Sequence, residues 1–259
     1  MNFDKKKIIG MIHVDALPGT PKFKGAFRAT IKRAIKEAKI YADCGIDSIM
    51  LENMHDIPYL NRKVGDEIVA AMTILAYEVK NATDLPVGIQ ILAGANKSAI
   101  AAAYASGADY IRAEGFVFGH LADEGFFNSD AGELLRYRKR IGAENVKVFT
   151  DIKKKHSSHA VTSDVSIVET AKAAQFFLSD GVIVTGAATG EEANIEEIIA
   201  IKKAVSLPVL VGSGVTEKNV ELYYEHADAL IVGSYFKKGG KWENGVDKKR
   251  VLRLLKKIK

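Results

Sequence analysis

Cysteine is almost absent from this sequence, which has Cys44 and no other. A single thiol excludes an intramolecular disulfide, and without a CxxC motif or a cysteine–histidine cluster the sequence also excludes a cysteine-rich zinc module. We therefore expect a reducing, cytoplasmic setting.

Long hydrophobic runs are absent as well. No stretch approaches the roughly 18 consecutive apolar residues that a membrane-spanning helix needs. The first apolar run, residues 8–14, follows three lysines and is too short for the core of a signal peptide followed by a cleavage site. We expect an intracellular protein without a membrane span.

A strong excess of one charge is also missing, since 37 Lys and Arg oppose 32 Asp and Glu and leave a formal charge of +5. The basic residues near the carboxyl end, 248–250 and 256–257, have the spacing of a solvated helix face. Because no basic stripe interleaved with aromatic residues accompanies them, we expect no nucleic-acid binding. The modest positive charge would permit weak attraction to nucleic acid, an anionic membrane or phosphorylated metabolites, and charge alone does not choose among them.

The residues that are present form eight short apolar runs, each followed by an amphipathic helical pattern. Eight alternations of strand and helix in about 250 residues predict a closed parallel (β/α)₈ TIM barrel. The predicted strands are residues 8–14, 48–53, 87–92, 110–114, 146–152, 181–185, 208–212 and 229–233. The clearest predicted helices are residues 26–43, 65–80, 165–178, 195–205 and 247–258.

No linker rich in glycine, serine or proline interrupts the alternation, so residues 1–259 are predicted to form one domain. The sequence leaves open whether the chain forms a homo-oligomer. In a barrel of this kind, chemistry belongs to the loops that follow the carboxyl ends of the strands. Polar residues at those ends are therefore the candidate site.

Glycine-rich turns follow the last two predicted strands. Their candidate anion-binding residues are Gly212, Ser213, Gly214, Gly233 and Ser234. Glycine lets backbone N–H groups approach an anion closely, and barrel phosphate sites form after strands seven and eight. The pattern predicts a phosphate site, with two tight turns as the alternative.

The fifth predicted strand ends in Asp151, Ile152 and Lys153, followed by two further lysines. Strand alternation puts Asp151 and Lys153 on the same side, so we expect the carboxylate to orient the lysine toward the barrel mouth. Such a lysine could protonate a carbanion, form a Schiff base or bind phosphate. Lys154 and Lys155 are expected at the surface.

Glu52, Glu114 and Asp151 end three of the strands, which would allow proton transfer or binding of a hard metal such as Mg²⁺. An ion pair between Arg112 and Glu114 is the alternative. His13 is the candidate acid–base histidine, with a hydrogen-bonded core histidine as the alternative. No histidine spacing indicates a zinc site, and no other cofactor is predicted.

Further polar residues lie at or just past predicted strand ends and complete the candidate mouth. They are Asn53, Gln90, His156, His159 and Thr185.

Five segments together resemble the BtpA/SgcQ family in order and spacing. They are residues 10–21 (GMIHVDALPGTP), 51–59 (LENMHDIPY), 151–159 (DIKKKHSSH), 184–190 (VTGAATG) and 232–237 (VGSYFK). The resemblance implies a barrel similar to the ribulose-phosphate-binding barrels. The family takes its name from a factor needed for photosystem I biogenesis, and genes of other members accompany genes of sugar metabolism. The resemblance therefore implies one of these two roles.

The element Asp151-x-Lys153 also resembles barrels related to orotidine phosphate decarboxylase. Position 156 is His where that pattern has Asp, which argues against decarboxylation. The sequence thus predicts a cytoplasmic lyase or isomerase that moves a proton on a small phosphorylated sugar or related metabolite. In that prediction Lys153, Asp151, His13 and Glu52 are catalytic. The alternative is a non-catalytic assembly or regulatory factor that only binds the phosphorylated ligand.

Overall fold

A computed structural model describes residues 3–186 and 192–258 of the chain. It contains eight parallel strands, each followed by an α-helix, in the places where the apolar runs predicted them. The strands are β1 (Lys7–His13), β2 (Ser48–Glu52), β3 (Val87–Gln90), β4 (Tyr110–Ala113), β5 (Lys147–Ile152), β6 (Gly181–Val184), β7 (Val209–Val211) and β8 (Ala229–Val232). The helices are α1 (Phe27–Cys44), α2 (Asp66–Ala82), α3 (Asn96–Ser106), α4 (Ala131–Arg140), α5 (Ile167–Phe176), α6 (Ile195–Ala204), α7 (Val220–His226) and α8 (Lys248–Leu255).

The strands close into a barrel in which β8 pairs with β1. The closing register runs from Lys7 opposite Ala229 to Gly10 opposite Val232, and β2 pairs with the other edge of β1. The predicted closed (β/α)₈ barrel is therefore confirmed. No helix within the described ranges is long and apolar enough to cross a membrane.

Inward-facing side chains fill the barrel interior. They form one buried cluster: Ile9, Met11, Met50, Tyr110, Phe149, Ile183, Leu210, Ala229 and Ile231. Because side chains alternate along a strand, the residue two positions further on faces the same interior at the open end of the barrel. This places His13 above Met11, Glu52 above Met50, Arg112 above Tyr110 and Asp151 above Phe149.

The structure also contains a small antiparallel sheet beside the mouth, which the sequence analysis did not predict. A hairpin of His120–Ala122 and Gly125–Phe127 follows β4, and Ser157–Ser158 pairs with its first strand. Each piece is only two or three residues long, too short for a recognisable two-residue periodicity. The hairpin adds Asp123 and Glu124 to one side of the mouth.

Aspartates secure the opposite end of the barrel. Asp47, Asp109, Asp180 and Asp228 each accept a hydrogen bond at 2.7–2.9 Å from the first or second amide of a neighbouring strand. Each aspartate also pairs with a lysine, for example Asp109 with Lys80 at 2.6 Å. This end of the barrel therefore serves stability.

A buried ion pair fixes the segment that follows β8. The side chain of Lys237 is fully buried, and its ammonium donates to the Met11 carbonyl at 2.8 Å and to the Glu37 carboxylate at 3.1 Å. Arg33 also donates to Glu37, at 3.1 Å. Helix α1 is thereby tied to the chain that leads from Ser234 toward α8.

We predict that Glu37→Leu lowers the free energy of unfolding by about 3–5 kcal/mol, because it leaves the Lys237 charge buried without its partner. The double variant Glu37→Leu/Lys237→Met should recover most of that loss. Urea unfolding of both variants measures the difference. Equal losses in the single and double variants would contradict an ion-pair origin.

Candidate functional site

Five strand ends bring their inward side chains together at the open end of the barrel. These side chains belong to His13, Glu52, Gln90, Arg112 and Asp151, and all are buried or nearly so. Two adjoining cavities lie above them. Glu52, Met54, Arg112 and Lys155 line both cavities.

The first cavity, here called the glycine chamber, has a volume of about 200 Å³. Its polar lining comes from the ends of β7 and β8 and from α8, together with the side chains that it shares with its neighbour. The lining residues used below are His13, Glu52, Arg112, Lys155, Gly212, Ser213, Gly214, Gly233, Ser234, Tyr235 and Arg250.

The second cavity, here called the carboxylate chamber, also has a volume of about 200 Å³. It lies over β2 to β5 and under the hairpin. Its charged or polar lining residues are Glu52, Tyr59, Gln90, Arg112, Glu114, Asp123, Glu124, Asp151, Lys154, Lys155 and His156.

Ion pairs in the mouth differ from the predicted ones. The Arg112 guanidinium donates to both carboxylate oxygens of Asp151 at 3.0–3.2 Å, with both side chains buried. Glu114 pairs instead with Lys154 at 3.5 Å, and Lys154 also lies over the Phe127 ring at 5.1 Å. The alternative pairing of Arg112 with Glu114 is therefore wrong, and Lys154 is buried where the sequence predicted a surface lysine.

The predicted orientation of Lys153 by Asp151 is wrong. Strand β5 ends at Ile152, and Lys153 has a positive φ of 47°, so the two-residue alternation stops before it. Its ammonium donates to the Thr162 carbonyl at 2.9 Å, in a small side pocket outside both chambers. The Asp151 carboxylate is paired with Arg112, and the expected ion pair between Asp151 and Lys153 does not form.

Lys155 takes the place that was predicted for Lys153. It lines both chambers, and its backbone N–H donates to the Thr185 hydroxyl at 3.2 Å, which fixes the loop. Within residues 3–186 and 192–258 its ammonium makes no hydrogen bond or ion pair. Burial, followed by the nearby Arg112 charge, lowers the pKa of Lys155 below its ordinary value, against the opposing effect of Glu52, Asp151 and Glu114.

His13 and Glu52 face each other at the edge of the glycine chamber, with His13 Nε2 and Glu52 Oε2 3.6 Å apart. His13 Nδ1 lies 2.8 Å from the Trp242 carbonyl, which can only accept, so Nδ1 donates to it and Nε2 faces the chamber. Burial, then the Lys237 charge, holds the pKa of His13 well below its usual range. Burial raises the pKa of Glu52, although Arg112 opposes the change.

The glycine turns offer backbone donors, although fewer than predicted. The Gly212 amide is used, since it donates to the Val184 carbonyl at 2.8 Å. The amides of Gly214, Gly233 and Ser234 donate to no acceptor in the part of the chain that the structure describes. Gly214 has a φ of 70°, which favours glycine, and a Cβ on Gly233 would lie 3.2 Å from His13 Nε2.

Four other predicted mouth residues have structural contacts. Asn53 is outside both chambers, because its side chain donates a hydrogen bond to Asp56 and accepts one from the Leu92 amide. The hydroxyls of Thr185 and Ser213 accept hydrogen bonds from backbone amides of neighbouring loops. His159 accompanies Lys153 in the side pocket.

His156 lines the carboxylate chamber, as do Gln90 and Glu114. Residues 187–190 of the VTGAATG segment lie outside the described residues. In the described ranges, no group of three or more His, Cys, Asp or Glu side chains could hold a metal ion.

Sequence reasoning missed Lys155, Arg250, Tyr235 and Trp242. Arg250 was expected on a solvated helix face, yet it lines the glycine chamber with its guanidinium 4.4 Å from the centre of the Tyr235 ring. The amphipathic pattern of α8 shows which face is apolar, but not which boundary residue reaches the mouth. For Lys155 the one available signal was its place just after a strand end, which all three lysines share.

Comparison with known proteins places the chain in a family. The model of the BtpA family matches residues 4–259. The chain belongs to the BtpA family. An uncharacterized mitochondrial protein of Caenorhabditis elegans is 48% identical over 263 residues, which cover 100% of this chain and 95% of that protein. The photosystem I biogenesis protein BtpA of Synechocystis is 34% identical, covering 94% of this chain and 85% of that protein.

Solved structures confirm the fold of this BtpA family member at low sequence identity. A thiamine phosphate pyrophosphorylase from Pyrococcus furiosus aligns with a TM-score of 0.61 and 13% identity, covering 99% of this chain and 96% of that chain. An orotidine 5'-phosphate decarboxylase from Pyrococcus horikoshii aligns with a TM-score of 0.60 and 16% identity, covering 96% and 98%. Both likenesses concern the barrel alone.

We predict that Lys155 titrates below 10.5, the ordinary lysine pKa, because burial disfavours its charged form. The unfolded chain then binds this proton more tightly, so the stability linked to Lys155 rises as the pH rises toward 10.5. Reductive ¹³C-methylation followed by NMR titration measures the shift. The shifted resonance should vanish in Lys155→Arg and persist in Lys153→Arg, and an unshifted Lys155 resonance would contradict the placement.

Proposed function

We propose that this BtpA family member is an enzyme that acts on a small phosphorylated carbonyl compound, with a lyase or isomerase outcome. The observation that carries the proposal is the Lys155 ammonium, which lies between the two chambers without a described partner. A partly buried lysine with a lowered pKa is suited to react with a carbonyl group.

The phosphate would bind in the glycine chamber. The amides of Gly214, Gly233 and Ser234 supply donors there, and Arg250 supplies a positive charge. Strands seven and eight are where barrels commonly hold phosphate. The names of two structurally similar barrels, a thiamine phosphate pyrophosphorylase and an orotidine 5'-phosphate decarboxylase, include phosphorylated compounds, which supports the proposal.

The Lys155 amine would add to the substrate carbonyl carbon and, with loss of water, form an iminium ion. That cation withdraws electrons from the neighbouring carbon, so a proton or a carbon substituent can leave it. Glu52 is the proposed proton carrier, because burial raises the pKa of its carboxyl group and that group faces the same chamber. His13, through Nε2, would position Glu52.

Arg112 and Asp151 would act as a fixed pair beneath the reacting atoms. Because Asp151 neutralises the guanidinium, Arg112 does not repel the protonated iminium as strongly as a free arginine would. The proposed chemistry needs no cofactor.

A regulatory protein that binds the phosphorylated ligand without reaction is the alternative. The relative named a photosystem I biogenesis protein favours it. In that case the ligand would bind without forming any adduct on Lys155. The proposed location is the cytoplasm, on the evidence of a single cysteine that is buried.

We predict that inorganic phosphate binds the wild-type protein and that Arg250→Gln weakens this binding about tenfold, because a charge-assisted hydrogen bond is lost. Arg253→Gln is the matched control, since Arg253 lies one turn further along α8 and pairs with Glu217 at 3.6 Å. Isothermal titration calorimetry gives the three affinities. Equal weakening in both variants, or none in either, would rule out the assigned phosphate position.

We predict that borohydride traps an adduct on Lys155 when the protein is incubated with its carbonyl substrate from a panel of three- to six-carbon aldose and ketose phosphates. Lys155→Ala should abolish the adduct and lower turnover by at least about 10²-fold. Lys153→Ala is the matched control and should retain both. Intact-mass spectrometry identifies the adduct.

Loss of turnover in Lys155→Ala without any adduct in the wild type would assign charge stabilisation to the lysine. Full turnover in Lys155→Ala, or binding of a panel member with no reaction, would refute the proposed mechanism.

A further inference from the structure

The carboxylate chamber contains two buried hydrogen-bond acceptors that have no donor. They are the side-chain carbonyl oxygen of Gln90 and one carboxylate oxygen, Oε2, of Glu124, both without a partner in the described part of the chain. Both residues line the same chamber. Buried acceptors are rarely left unpaired in folded proteins, so each marks a place where a donor is expected.

The orientation of the Gln90 amide follows from its neighbour. Its Nε2 donates to Glu114 Oε1 at 3.2 Å. An ionised carboxylate can only accept, so the amide nitrogen must face Glu114 and the carbonyl oxygen must point elsewhere. Gln90 is 2% exposed, and its side chain lines the carboxylate chamber.

Glu124 reaches the chamber from the hairpin on the other side. Its backbone carbonyl accepts from Asn61 at 3.2 Å, which holds the hairpin turn in place. The two unpartnered acceptors thus come from a barrel strand and from the hairpin, two elements far apart in sequence. A ligand between them could satisfy both.

The two chambers also differ in charge. Among the residues that the structure describes, five carboxylates and three cations line the carboxylate chamber, and Lys154 and Arg112 are already paired there with Glu114 and Asp151. Among the same residues, one carboxylate, Glu52, and three cations line the glycine chamber. One end of the mouth therefore suits an anion, and the other suits hydrogen-bond donors.

We propose that the carboxylate chamber binds the polyhydroxyl part of the phosphorylated substrate, with Gln90 and Glu124 accepting hydrogen bonds from its hydroxyl groups. This inference rests on the proposed function, and it names the substrate class as a sugar phosphate. A hydroxyl group can donate to the neutral carbonyl oxygen of Gln90 as well as to the Glu124 carboxylate, so a chain of hydroxyl groups suits both acceptors.

Calorimetry with three five-carbon phosphates tests the inference: ribitol 5-phosphate, pentyl phosphate and 5-aminopentyl phosphate. None carries a carbonyl group, so adduct formation on Lys155 cannot contribute to affinity. We expect ribitol 5-phosphate to bind at least tenfold more tightly than pentyl phosphate. Gln90→Leu should remove most of this preference by weakening the binding of ribitol 5-phosphate.

Glu124→Ala provides a second variant at an accessible turn, and it should reduce the same preference. Because Gln90→Leu also removes the hydrogen bond to Glu114, circular dichroism of both unliganded variants establishes that they are folded before the affinities are compared. A preference for ribitol 5-phosphate that is unchanged in both variants would overturn the inference. Tighter binding of 5-aminopentyl phosphate would overturn it as well.

Failure of the proposed function gives a different result. If neither inorganic phosphate nor any of the three phosphates binds, the phosphate site is wrong, and saturation-transfer NMR with free ribitol then decides the inference alone. Ribitol binding that Gln90→Leu abolishes would support it. The absence of ribitol binding, or ribitol binding that is equal in the wild type and in Gln90→Leu, would overturn it.

Discussion

The closed barrel imposes a two-residue alternation on eight strands at once, and the whole mouth depends on it. Each strand that places an apolar side chain in the interior places the next inward residue at the open end. The sequence Met11, Ile12, His13 shows the rule: Met11 packs in the interior and His13 faces the glycine chamber. Helices outside and aspartates below hold the strands in this register.

This dependence explains how much could be predicted. The apolar runs and their number were enough for the barrel, its closure and the strand bounds to within one or two residues. The two-residue alternation was enough to predict that the side chains of His13, Glu52, Arg112 and Asp151 face the mouth. It failed for Lys153, because β5 ends one residue earlier and the chain turns through a positive φ there.

The remaining features depend on contacts between segments distant in sequence, which periodicity does not reveal. The pairing of Arg112 with Asp151 instead of Glu114 follows from the stagger between β4 and β5 and from the competing Lys154. The position of Arg250 requires the docking of α8 against the segment that Lys237 anchors in the interior. The strands of the hairpin that carries Glu124 are too short to show a two-residue periodicity in the sequence.

Lys155 lines both the glycine chamber, which suits an anion, and the carboxylate chamber, which is rich in hydrogen-bond acceptors. A carbonyl at Lys155 would then lie between the phosphate and the hydroxyl groups, as it does in a ketose 1-phosphate.

The most direct measurement is a crystal structure of the protein with a bound pentulose 1-phosphate. We expect the phosphate against Gly214 and Gly233, the carbonyl carbon beside the Lys155 amine, and the hydroxyl groups at Gln90. A phosphate bound in the carboxylate chamber, or a sugar out of reach of Lys155, would contradict this arrangement.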